Sequence, residues 1–238
     1  MIEIRDLTKR FGSKIAVNKI SLDVKNGEIF GFLGPNGAGK TTTIKMIVGL
    51  MSPDEGDIEV AGVNAVRYSL ESKRKFSYVP DNPDIYDNMT GLQYLNFLSD
   101  IYNLSKEERQ ERIKKYSDEF EMTNNLADYI TGYSHGMKQK ICLIGALIHE
   151  PEVFILDEPM VGLDPKSAFR LKEIMRDRCN KGKSVFFSTH VMEVAEKICD
   201  RLAIIKDGKI IAVGTLDEIK EQAKDEGSLE QIFLELTE

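Results

Sequence analysis

Gly34-Pro35-Asn36-Gly37-Ala38-Gly39-Lys40-Thr41 has the form GxxxxGK[ST], a spacing that lets backbone amides wrap the phosphates of a nucleotide. A following helix adds its positive N-terminal dipole, Lys40 reaches the terminal phosphates, and the Thr41 hydroxyl can ligate Mg²⁺. Asn36, Gly37, Ala38, Gly39, Lys40, Thr41 and Thr42 are the expected phosphate-binding residues. Further along, Val153-Phe154-Ile155-Leu156-Asp157-Glu158 is a hydrophobic strand ending in two acids. By itself such a pair is commonly a solvated loop; beside a phosphate loop it reads as hydrolytic machinery. Asp157 is assigned to Mg²⁺ and its waters, and Glu158 to polarising the attacking water. A third strand, Ser184-Val185-Phe186-Phe187-Ser188, runs into Thr189-His190. At a strand end of an α/β sheet this imidazole faces the ligand side, in reach of a terminal phosphate. Lys40, Glu158 and His190 form the expected catalytic set.

These residues need a sheet and helices to hold them. Residues 2–7 and 15–24 carry strand patterns separated by turn signals at Phe11-Gly12-Ser13, and look like antiparallel strands at one edge. Residues 28–33 form a short apolar run leading into the phosphate loop, and 41–51 have helical length and spacing. Further strands are expected at 56–60, 76–79, 153–156, 184–188, 202–206 and 209–213, the last two a hairpin about Asp207-Gly208. Strands alternating with helices imply an α/β sheet. From 90 to 147 there is no strand signal, and Thr90-Gly91-Leu92-Gln93 and Ser105-Lys106-Glu107-Glu108 have capping-box form. The first of these helices is expected to bury Leu92, Leu95, Leu98, Ile101 and Tyr102. Thr215-Leu216-Asp217-Glu218 and Ser228-Leu229-Glu230-Gln231 cap two more, and residues 228–238 read as an amphipathic helix packed on its own domain.

The 238 residues carry 32 Lys+Arg and 39 Asp+Glu, a net charge of −7, with 42% hydrophobic residues. This is a globular composition, long enough for a sizeable core. The longest apolar run, 141–148, is far short of the roughly 18 residues a membrane span needs. The N-terminus, Met1-Ile2-Glu3-Ile4-Arg5-Asp6, lacks the apolar stretch of a secretory signal, so a cytoplasmic location is expected. Cys142, Cys179 and Cys199 have no metal or redox spacing and read as reduced thiols. An acidic surface without a basic run argues against nucleic acid as a partner.

Tyr133-Ser134-His135-Gly136-Met137-Lys138-Gln139, just before the acidic strand, resembles the LSGGQ signature of ABC transporter ATP-binding subunits. Gly162-Leu163-Asp164-Pro165 resembles the family's loop after that strand, His190 its switch histidine, and Phe11 the aromatic that stacks on adenine. The resemblance covers almost the whole chain. It implies a single ABC ATPase domain over 1–238: an α/β P-loop nucleotidase core (about 1–84 and 150–238) with an antiparallel β edge subdomain and an inserted α-helical subdomain (about 85–149). It also implies that two ATPase subunits close head to tail. Ser134, His135 and Gly136 of one then face the ATP and Mg²⁺ held by the other, and Asp164 lies in the dimer loop.

Two residues depart from the family pattern. Asp81 stands where a Gln usually contacts the metal and water, and can hold the metal through water. His135 replaces the first signature glycine, and its side chain is expected to point to solvent, the alternative being a place beside the partner's nucleotide. The length leaves no room for a coiled-coil insertion or a second ATPase domain. The resemblance therefore implies separate membrane-spanning transporter subunits as partners, docking a short helix in a groove near residues 81–91, and a location peripheral to the cytoplasmic face. Residues 85–95 resemble exporter subunits, and the short C-terminus lacks the regulatory domain of some importers. The second ATPase subunit can be an identical copy or a diverged one. The alternative is a regulatory ATP-binding module with slow turnover, which Asp81 and His135 permit.

Overall fold

The structure, a computed structural model, describes residues 1–223 and 228–237. Strands β1 (Ile2–Phe11) and β2 (Lys14–Val24) form a hairpin, followed by β3 (Ile29–Leu33), α1 (Lys40–Ile47), β4 (Glu55–Val60), β5 (Val63–Asn64), α2 (Ser69–Lys73) and β6 (Phe76–Val79). Then come α3 (Gly91–Ile101), α4 (Lys106–Glu119) and α5 (His135–Leu147), with two 3₁₀ turns between α4 and α5. The chain ends with β7 (Val153–Asp157), α6 (Pro165–Asn180), β8 (Ser184–Thr189), α7 (Met192–Ile198), β9 (Arg201–Lys206), β10 (Lys209–Gly214), α8 (Leu216–Ala223) and α9 (Leu229–Thr237).

Two sheets result. One is antiparallel in the order β2-β1-β4-β5; the other runs β10-β9-β3-β8-β7-β6, parallel except for β10. Strands β3, β7 and β8 are buried along their whole length, which explains their continuous apolar sequences. Successive side chains on a strand face opposite ways. Phe154, Leu156, Val185 and Phe187 accordingly pack with α5 and α6, while Val153, Ile155 and Phe186 pack with α1 and the antiparallel sheet. Helices α8 and α9 cover β9 and β10 through Ile219, Leu229 and Ile232.

Both central capping boxes form, Thr90 with Gln93 and Ser105 with Glu108. The two C-terminal boxes form as well. Residue 238, the end of the tail read as helical, lies outside the described residues. Two expectations are corrected. Helix α1 stops at Ile47 rather than 51, because Gly49 takes a left-handed φ of 68°. Leu50 N–H then reaches Lys45 O at 2.9 Å and Gly49 N–H reaches Met46 O at 3.1 Å, a Schellman closure. On α3 the inward face is Gly91, Tyr94, Leu95, Leu98 and Ser99, with Tyr102 half-buried, while Leu92 and Ile101 are exposed. Residues 91, 94, 95, 98 and 102 follow the helical period, and 92 and 101 fall on its flanks.

Phe186 is fully buried at the centre of the sheet, with ring centroids 6.0 Å from Phe30 and 5.6 Å from Phe32. Phe186→Ala should cost about 3–5 kcal/mol of stability, read as a lowered urea midpoint with unchanged slope; a loss under about 1 kcal/mol would mean that this stack does not organise the core.

Candidate active site

The parallel register sets the site. Leu33 pairs with Thr189 and Asp157 with Ser188, so the phosphate loop, the two acids and His190 all leave the sheet at the same end. A cavity of about 310 Å³ lies there, lined by Phe11, Lys14, Ala16, Asn36, Gly37, Gly39, Lys40, Thr41, Thr42, Asp81 and Glu158. Gly39, at φ 112°, heads α1, and a Cβ there would lie 2.6 Å from Ala16 O. Only glycine permits both that turn and that approach. Phe11 presents its ring, 49% exposed, at the same cavity.

Lys40 is buried, its Nζ 2.8 Å from Gly34 O and 3.5 Å from Glu158 Oε1. His190 Nδ1 lies 3.0 Å from the same Glu158 oxygen. Glu158 therefore stands between the lysine of the phosphate loop and the histidine. Its backbone has a φ of 47°, uncommon for a residue with a Cβ, and strain of this kind concentrates at functional sites. Asp157 is fully buried; its Oδ1 accepts from Ser188 Oγ, and its Oδ2 has no partner. Burial pushes the Asp157 carboxyl above its ordinary range, while the hydroxyls of Ser188 and Thr41 pull the other way and Asp81 and Glu158 push it further up.

The signature residues stand apart from this cavity, as do Ala38, which is buried, and Asp164. Ser134 caps α5, its Oγ accepting from Met137 N–H at 3.2 Å. The His135 side chain is exposed, and its ring edge rests against Gly162: a Cβ on Gly162 would lie 2.5 Å from His135 Cδ2. Gly136 approaches Gly162 as closely, since its own Cβ would meet Gly162 O at 2.7 Å. Asp164 caps α6 and holds Lys140 Nζ at 2.7 Å; that lysine and the Ser167 donors pull its carboxyl well below the carboxylate range.

The family described as ABC transporter matches residues 17–161. EcsA, an ABC-type transporter ATP-binding protein of Bacillus subtilis (strain 168), is 36% identical over the whole chain and 96% of its own length. The chain belongs to the ABC transporter family. The linearmycin resistance ATP-binding protein LnrL of the same organism is 38% identical over 92% of this chain and 70% of its own. A solved ATP-binding subunit of an ABC transporter matches with a TM-score of 0.96 at 35% identity, each chain covered completely. As a member of this family the chain is an ATP-binding subunit and an ATPase.

For an ABC ATPase, the residues around Asp157 fit a metal ion. A buried carboxylate oxygen without a donor, beside a threonine hydroxyl, is a hard oxygen ligand set that suits Mg²⁺. Ser188 is a site residue that motif reading does not single out. Its Oγ accepts from Glu158 N–H at 3.1 Å and donates to Asp157, fixing both acids. The available signal is a serine at the buried end of a strand that runs parallel to the acidic one.

A carboxyl whose pKa is raised on folding costs stability above its folded pKa, and that cost disappears below the unfolded pKa. Without nucleotide, Asp157→Asn should therefore raise the thermal midpoint at neutral pH, and the advantage should shrink as pH falls through the carboxylate range. A gain independent of pH, or none at pH 7, would refute the buried-charge reading.

Proposed function

We propose that the chain binds and hydrolyses Mg-ATP to drive export through separate membrane-spanning subunits, by head-to-tail closure with a second ATPase subunit. The observation that carries this reading is the set of groups gathered at one end of the sheet: the phosphate loop, the half-partnered Asp157, and Glu158 between Lys40 and His190. In this reading Phe11 stacks on the adenine, and the loop from Asn36 to Thr42 with Lys40 takes the phosphates. Thr41 and Asp157 hold Mg²⁺, with Asp81 reaching it through water; when bound, the ion neutralises charge developing on the phosphoryl oxygens. Glu158 accepts the proton of the attacking water, and His190 orients Glu158 and senses the γ-phosphate. The chain divides into a core of about 1–84 and 150–238 and a helical subdomain of about 85–149.

Ser134 and Gly136 lie outside the cavity of their own chain, which suits a role on a second one. Their hydroxyl and free N–H groups at a helix start would meet the γ-phosphate held by the partner subunit's Lys40. ATP then favours closure through contacts made only in the dimer. Among the described residues no helix is long and apolar enough to cross a membrane, so the path for cargo belongs to other subunits. A groove of about 210 Å³ between β6, α3 and α5, walled by Tyr78, Ile85, Leu98 and Tyr102, suits a short helix from such a subunit. Its His149 stacks on Tyr102 at 3.6 Å and is pushed down to about 4 by burial, leaving it uncharged at neutral pH. Export is favoured by the relative named for linearmycin resistance. The subunit would sit on the cytoplasmic face of the membrane.

Glu158→Gln should lower ATP turnover by about 10²–10⁴-fold while dimers persist in ATP and Mg²⁺, seen by light scattering after size exclusion. Monomers at saturating ATP would overturn the closure mechanism. Placed in that background, Ser134→Ala should weaken ATP-dependent dimerisation yet leave monomer affinity for ATP near wild type; equal loss of both would assign Ser134 to its own chain's nucleotide.

A further inference from the structure

A second cavity, of about 240 Å³, lies between α4 and α6 and shares no lining residue with the nucleotide cavity. One of its walls is Arg178, in the last turn of α6 and only 8% exposed. Its Nη2 donates to Pro151 O and its Nε is buried without a partner. Its guanidinium carbon stands 5.6 Å from the centre of the Phe154 ring. Among the described residues no carboxylate lies within ion-pair distance of it. Arginine stays protonated, and a buried cation is tolerated only when it is paired or fully hydrogen-bonded. One carbonyl, one ring face and the more distant Glu150 carboxylate offset part of that cost.

Lys115, Lys181 and Lys183 line the same cavity. Arg170 and Glu119 neutralise each other there at 3.0 Å. Glu150 and Asp177 are the other acids of the lining, so the cavity keeps an excess of two positive charges. Its volume is below the roughly 300 Å³ at which small-molecule sites begin, a size for a phosphoryl group with few carbons rather than a nucleotide. A guanidinium matches phosphate oxygens in geometry as well as charge.

We propose that this cavity binds a small phosphate-bearing dianion, anchored by Arg178 and surrounded by Lys115, Lys181 and Lys183. Such a site is independent of the nucleotide chemistry. Because α4 lies in the helical segment and α6 packs on the sheet, the bound anion touches both parts of the fold.

The test is equilibrium dialysis of the full chain with radiolabelled inorganic phosphate. The phosphate loop is first saturated with Mg²⁺ and a non-hydrolysable ATP analogue, so that it cannot take up the probe. One equivalent of phosphate should be retained, and retention should weaken as ionic strength rises. The double variant Lys181→Gln/Lys183→Gln, which changes no buried group, should bind phosphate at least tenfold more weakly; Arg178→Met should abolish retention. No phosphate held beyond the nucleotide site in the wild-type chain would overturn the proposal, and so would equal retention by the double variant.

Discussion

Parallel pairing puts Leu33 level with Thr189 and Asp157 level with Ser188, and the chemistry of the molecule follows from that alignment. A shift of one residue in β7 would turn Phe154 and Leu156 toward α1 and carry Asp157 away from Ser188. The register is held because β3, β7 and β8 are buried on both faces, each face filled by its own set of side chains. The same burial brings Asp157 into the interior, where its cost is offset in part by Ser188 and its second carboxylate oxygen is left without a partner. In the proposed metal-holding role, packing and function thus conflict at this one residue.

Charge is distributed unevenly about this end of the sheet. Asp157 lies among Asp81 and Glu158, both of which push its carboxyl up, while Lys40 answers Glu158 at 3.5 Å. Glu158 also has His190 Nδ1 at 3.0 Å, and its left-handed backbone aims the side chain at both partners. A glycine would adopt that conformation without strain but has no carboxylate. In the proposed role Lys40 would exchange Gly34 O and Glu158 for the phosphates, leaving His190 as the partner that holds the acid.

Much of this was legible in the residues. The phosphate loop, the acidic strand and the strand before His190 carry local signals, since a Gly-rich loop after an apolar run and acids after another need no tertiary information. The helical segment was readable through its capping boxes, because caps are local hydrogen bonds. The end of α1 was less so: it depended on whether Gly49 would take positive φ, which is settled by the chain's exit toward β4. Leu92 and Ile101 are apolar yet exposed, so hydrophobicity alone misassigned the face of α3. Ser188 became visible only when β7 and β8 lay side by side, as register is a property of two strands.

The signature-like turn and the loop after the acids are in direct contact within the chain. His135 lies over Gly162, Gly136 approaches Gly162 O, and Lys140 holds Asp164 at 2.7 Å. That loop begins four residues after Glu158; a Cβ on Gly136 would meet the Gly162 carbonyl, and one on Gly162 would meet the exposed His135 ring. In the proposed dimer Ser134 would meet the nucleotide of the partner subunit, on a turn whose next two residues, His135 and Gly136, lie against Gly162. The imidazole at position 135 covers a backbone segment that a glycine would leave open. In the proposed dimer, this contact joins the turn that would grip the neighbour's ATP to the loop that begins four residues after the proposed base, Glu158.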